Sequence, residues 1–107
     1  MSENAVELTQ AMMLVLIALR KCPQHGYALM LEISRMTEGQ YAVAPGTLYR
    51  SISQLLMHKL IEEQAPAFDP RRNKDLRRRY YKITDPGCEA LELELKRLEK
   101  LLLSARS

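Results

Sequence analysis

The sequence predicts a mostly α-helical fold with one small β-hairpin, and three observations carry that prediction. Apolar residues recur at helical spacing in four segments of the 107-residue chain. Proline and glycine fall at the edges of these segments, at Pro23, Gly26, Gly39, Pro45 and Pro86, where they begin or end a helix rather than interrupt one. Strand-prone stretches at 60–65 and 78–83 flank a turn-rich, basic segment. A chain of this length holds one small domain, whose core is marginal if the chain stands alone.

The first helix is expected over residues 7–21, ending before Pro23 because the residue ahead of a proline is pushed out of the helical region. Leu8, Met12, Val15, Leu16 and Leu19 are enough to make one buried stripe, yet Met13, Leu14, Ile17 and Ala18 cover the other sides. A helix apolar all round must be buried all round. So small a domain has difficulty wrapping one of its own helices, so a second copy of the chain is expected against it, with Met12 and Val15 in the contact. The second helix is expected over 27–36, with Leu29, Ile33 and Met36 inward and Gly39 as its stop signal. A short extended piece is expected at 41–43.

Pro45 suits the first turn of a third helix, where a missing N–H costs nothing. Ala44, just ahead of it, has no side-chain oxygen with which to cap that helix. Leu48, Ile52, Leu55 and Leu56 face the core, and Thr47, Arg50, Ser51 and Gln54 are expected on the opposite face. That face is not the Glu/Lys mixture of an ordinary solvated helix. Arg, Gln, Ser and Thr can all bond to base edges in a DNA groove. A hairpin follows, its turn rich in Pro66, Asp69 and Pro70. The basic block RRNKDLRRRYYK at 71–82 carries seven Lys/Arg against one Asp, a charge of +6 in a chain of net charge +3, so the remaining residues sum to −3. Charge concentrated this way points to a polyanion, although most charge runs are merely solvated loops.

The last helix is expected to start at Thr84 or Asp85, with Pro86 in its first turn. Its apolar positions Cys88, Leu91, Leu95, Leu98 and Leu102 step by three and four residues, the spacing of a helix packed along a partner helix. The longest apolar run, 11–19, is too short to span a bilayer, and Glu3 and Glu7 make the acidic start wrong for a signal peptide. A cytoplasmic location with Cys22 and Cys88 reduced is the expectation.

The order helix, helix, short strand, helix, strand, basic turn, strand is that of a winged helix. The stretches HGYAL at 25–29, PGTLYRSISQL at 45–55, LIE at 60–62 and RRRYYKIT at 77–84, with Gly87 following, narrow the match. In this order and spacing they closely resemble the PadR family of bacterial transcriptional regulators, in its short branch with a single C-terminal helix. The resemblance covers about residues 14–91. It implies a winged helix-turn-helix DNA-binding domain over 7–83 and a C-terminal dimerisation helix over 84–107. The implied protein is a homodimeric repressor that binds double-stranded DNA at an inverted-repeat operator, with a small hydrophobic or aromatic effector as a further candidate partner. Carried over residue by residue, the groove candidates are Thr47, Tyr49 and Arg50, to which the face of the third helix adds Gln54. Tyr27 is a phosphate candidate, and Arg71, Arg72 and Lys74 fall at the wing tip. Of the arginines at 77–79, strand alternation should send only some, Arg77 among them, to DNA. Leu91, Leu95, Leu98 and Leu102 would join Met12 and Val15 in the dimer.

Two positions depart from the family pattern. Leu56 stands where an acidic residue is common, and Lys59 where glycine is. A left-handed Lys59 would cost about 1 kcal/mol. Catalysis is not expected, because no nucleophile elbow, phosphate loop or paired acid/base motif is present. Neither a cofactor nor a metal is expected. Cys22 and His25 have the spacing of half a zinc site, but His58 and Cys88 do not form the second tight pair that such sites show. Cys88 is expected to pack on the helical seam rather than to switch redox state. A winged helix that docks another protein, or one that binds RNA, remains an open alternative on the sequence.

Overall fold

Backbone hydrogen bonding organises the chain, described here by a computed structural model over residues 7–64 and 79–107, into four helices and three short strands. In order these are α1 (Gln10–Lys21), β1 (Gln24–His25), α2 (Gly26–Met36), α3 (Pro45–Met57), β2 (Ile61–Gln64), β3 (Tyr80–Ile83) and α4 (Asp85–Ala105). The antiparallel sheet has the order β1-β3-β2. In it Gln24 and His25 pair with Tyr81 and Tyr80, and Ile61 pairs with Ile83.

Two boundaries differ from the sequence expectation. α1 begins at Gln10 rather than residue 7, because the Thr9 hydroxyl accepts from the Met12 N–H at 3.1 Å and fixes the helix start there. The third strand lies at Gln24–His25, ahead of α2, and residues 41–43 form no strand. There the Thr37 hydroxyl accepts from the Tyr41 N–H at 3.2 Å while donating to the Ile33 carbonyl at 2.9 Å, tying the loop to the end of α2.

Both α2 and α3 end in the same backbone device. At α3 the Lys59 N–H donates to the Leu56 carbonyl and the Leu60 N–H to the Leu55 carbonyl, with Lys59 left-handed at φ +60°. This is the double bond of a Schellman turn, closed by the buried pair Leu55 and Leu60. Lys59 therefore takes the conformation that glycine would hold without strain. At α2 the left-handed position is Glu38, at φ +52°, with Gly39 next at +76°. Ala44 makes no side-chain cap to α3, as its sequence implied.

The core corrects the expectation for α1. Val15, Leu16 and Ala18 are 0% exposed and Met12 and Leu19 only 2%, within a single chain. α2, α3, α4 and β3 all pack on α1, leaving only Met13 and Ile17 half-buried among its large apolar residues. No second copy is needed to cover it. Met12 and Val15, expected in a dimer contact, lie in the chain's own core, and so does Leu91 at 0%.

α4 is fastened at its start and free at its end. Thr84 caps it by accepting from the Gly87 N–H at 3.1 Å, and the same hydroxyl donates to the Lys59 carbonyl at 2.7 Å. Beyond Leu98 every residue of the helix is exposed.

Candidate nucleic-acid interface

The buried stripe of α3 is Leu48, Ser51, Ile52 and Leu55, spaced i, i+3, i+4 and i+7. Ser51, expected on the outer face, is 6% exposed and belongs to this stripe. Its position three residues after Leu48 and four before Leu55 sends it inward whatever its polarity. The outward face comprises Thr47, Arg50, Ser53 and Gln54, all exposed, with Tyr49 at its edge, half exposed. No residue of α3 is acidic.

Of the six described arginines, four are paired with a carboxylate, and Arg50 and Arg106, at the end of α4, are not. Arg20 pairs with Glu92, Arg35 with Glu32, Arg79 with Glu63 and Arg97 with Glu94. Among the described residues Arg50 makes no ion pair, on a helix that offers no carboxylate to its guanidinium.

The start of α2 is built next to this face. His25 closes the helix through Nδ1, which accepts from the Ala28 N–H at 3.2 Å, so this cap exists only while Nδ1 carries no proton. The same ring meets Tyr80 edge-on, with centroids 5.5 Å apart. Tyr27 follows, 60% exposed, in the first turn. Gly26 is buried under Tyr49: a Cβ built on it would stand 2.8 Å from the Tyr49 hydroxyl oxygen and 3.1 Å from Cε1. Nothing in the sequence signals this contact, since the two residues lie far apart and on different helices.

The expected wing-tip residues Arg71, Arg72 and Lys74, and Arg77 expected on the return strand, lie outside the described residues. Arg79, at its base, directs Nη1 to both carboxylate oxygens of Glu63 at 3.2 and 3.0 Å. Next to it Tyr81 is buried, and burial, with the Glu63 carboxylate adding to it, pushes its hydroxyl above the usual tyrosine range.

The expected partner-helix seam divides. Leu91 is core, Leu95 and Leu98 are half-buried, and Leu102 is 51% exposed, joined by Leu101 at 52%. On this open face of α4 Leu95, Leu98 and Leu102 are neighboured by the charged Glu92, Lys96 and Glu99. Cys22 and Cys88 are free thiols. Among the described residues no His, Cys, Asp and Glu side chains cluster to hold a metal, and no helix is long and apolar enough to cross a membrane.

Three helices, a short strand before the second and an antiparallel hairpin after the third define a winged helix-turn-helix protein. The chain belongs to the PadR-like family of transcriptional regulators, whose model matches residues 15–93. That family comprises regulators and not enzymes. Solved structures share the fold at low identity. A transcriptional regulator from Clostridium thermocellum aligns over 94% of this chain and 96% of its own, at 19% identity and a TM-score of 0.75. A PadR-like transcription factor from Bacteroides fragilis aligns over 89% and 85%, at 20% identity and a TM-score of 0.72. A PadR family regulator from Clostridium difficile aligns over 92% and 100%, at 17% identity and a TM-score of 0.70. A search of curated protein sequences found no match.

Proposed function

We propose that the protein is a cytoplasmic, homodimeric repressor that binds double-stranded DNA in a sequence-specific way. α3 enters the major groove with Thr47, Arg50 and Gln54 toward base edges, Tyr27 meets phosphate, and the wing cations Arg71, Arg72, Lys74 and Arg77 hold the backbone beside it. The observation that carries this reading is the unpaired Arg50 on an exposed face free of carboxylates. Arginine fits the paired acceptors of guanine bidentately, and a guanidinium with no neighbouring acid on its own helix is free to make that contact.

In this arrangement residues 7–83 are the DNA-binding domain and residues 84–107 the dimerisation helix. The second copy packs on the outer part of α4, where Leu95, Leu98 and Leu102 remain to be covered; Met12, Val15 and Leu91 are already inside one chain. A small hydrophobic or aromatic effector that releases the DNA would act by favouring a dimer geometry in which the two copies of α3 no longer match the groove spacing.

The test compares Arg50→Ala with the unaltered protein on two duplexes, one enriched by the protein from a random pool and one of random sequence. The enriched duplex should lose about 1–3 kcal/mol of binding and the random duplex far less. Equal losses on both would remove Arg50 from the base-reading set.

A further inference from the structure

Gly26 and Gly46 are both helical glycines without a left-handed φ, yet their surroundings are opposite. Beyond its chain neighbours and its own helix backbone, nothing among the described residues lies within 4 Å of a Cβ built on Gly46, whereas a Cβ on Gly26 meets Tyr49 Oη at 2.8 Å, Cε1 at 3.1 Å and Cζ at 3.2 Å. A glycine in a helix is less favourable than alanine by up to about 1 kcal/mol, so where backbone geometry does not require it, close approach is the reason to keep it. At Gly26 the approaching group is the phenol of Tyr49. Tyr49 is half covered, and Gly26 is buried.

The place of this contact matters more than its size. Gly26 is the first residue of α2, directly after β1, whose His25 pairs with Tyr80 of β3 and caps α2 through Ala28. Tyr49 also lies near enough to Tyr81 of β3 to push that hydroxyl further upward. The beginning of α2, which is itself held to the base of the wing through β1, and the exposed helix α3 therefore meet at one ring.

We propose that Tyr49 is a positioning residue and not a groove contact: seated on Gly26, its ring is the spacer that fixes the start of α2 against α3. The spacing sets where Tyr27 falls on phosphate when Thr47 and Arg50 are in the groove. This inference rests on the DNA-binding reading above. The hydroxyl and the Cε1–Cζ edge of the ring lie against Gly26, so a methyl added there must displace the ring or part the two helices.

The experiment uses full-length Gly26→Ala, Tyr49→Phe and the double variant, with the duplex enriched by the unaltered protein and a random duplex. Gly26→Ala, although buried away from DNA, should weaken the enriched duplex about tenfold or more and lower its preference over random DNA. Tyr49→Phe should bind within about twofold of the unaltered protein, and in the double variant removal of the hydroxyl should restore much of the lost preference. A tenfold loss for Tyr49→Phe on the enriched duplex alone would make the hydroxyl a base contact and overturn the proposal. So would unaltered binding by Gly26→Ala. Should Gly26→Ala not fold, nuclear Overhauser contacts between the Tyr49 ring and the Gly26 α-protons decide: they persist in the DNA complex if the ring is a spacer and vanish if it swings to the groove. Those contacts are measurable in the free protein as well. Failure of the unaltered protein to enrich any duplex would defeat the DNA-binding reading, while loss of the ring contact would defeat this one.

Discussion

A methyl group at Gly87 would sit 2.0 Å from the carbonyl oxygen of Leu60 and 2.8 Å from Cγ1 of Ile83. Backbone cannot yield as a side-chain tip does, so this residue dictates how closely the first turn of α4 lies on the turn after α3. Thr84 reinforces the same junction by capping α4 and bonding the Lys59 carbonyl. Gly87→Ala should therefore destabilise the protein by about 1–3 kcal/mol, as overpacking does. Urea denaturation measures it, and an unchanged midpoint would mean that the junction opens freely. Residue-level signals were partly legible in the sequence. The uncapped Ala44 follows from its side chain, and the left-handed Lys59 from the family resemblance that sets it where glycine is common. The inward Ser51 and the Tyr49–Gly26 contact do not, because a polar residue on a helical stripe and a packing partner on another helix leave no local mark.

At the scale of elements, the junction between α1 and α2 is held by charge. Glu32 receives the Lys21 ammonium at 2.9 Å from the end of α1, and Arg35 from its own helix at 2.5 and 3.2 Å. The hydrogen bonds of Arg35, then of Lys21, hold the Glu32 carboxyl down at about 2, against an ordinary value of 4.5. The ionised form is the one that folding favours. Its contribution is therefore present above about pH 4.5 and is lost as the pH falls toward 2. Glu32→Gln should lower stability at neutral pH by a modest amount, since these groups touch solvent, and should flatten the decline between those two values. Chemical denaturation at a series of pH values checks this; an acid limb of unchanged slope would show that the network contributes nothing. The helices themselves were readable from apolar spacing. β1 was not, because a two-residue strand has no periodicity and exists only through its pairing with Tyr80 and Tyr81. The burial of α1 was misjudged for a related reason: four other elements converge on it, and convergence is a property of topology rather than of sequence pattern.

For the whole molecule, positive charge and uncovered apolar side chains fall in different parts of the sequence. The excess positive charge lies at 71–82, and Leu93, Leu101, Leu102 and Leu103 of α4 are exposed. On the proposed reading one surface serves a polyanion and another a second copy of the chain, and the two act together only if the dimer is symmetric. Symmetry then presents two copies of α3 to one duplex. The most direct measurement is a footprint of the protein on the duplex it enriches from a random pool. Protection should cover an inverted repeat whose half-site centres lie about 34–36 Å apart, or a multiple of that spacing. A direct repeat, or a single asymmetric site occupied by one chain, would contradict the account.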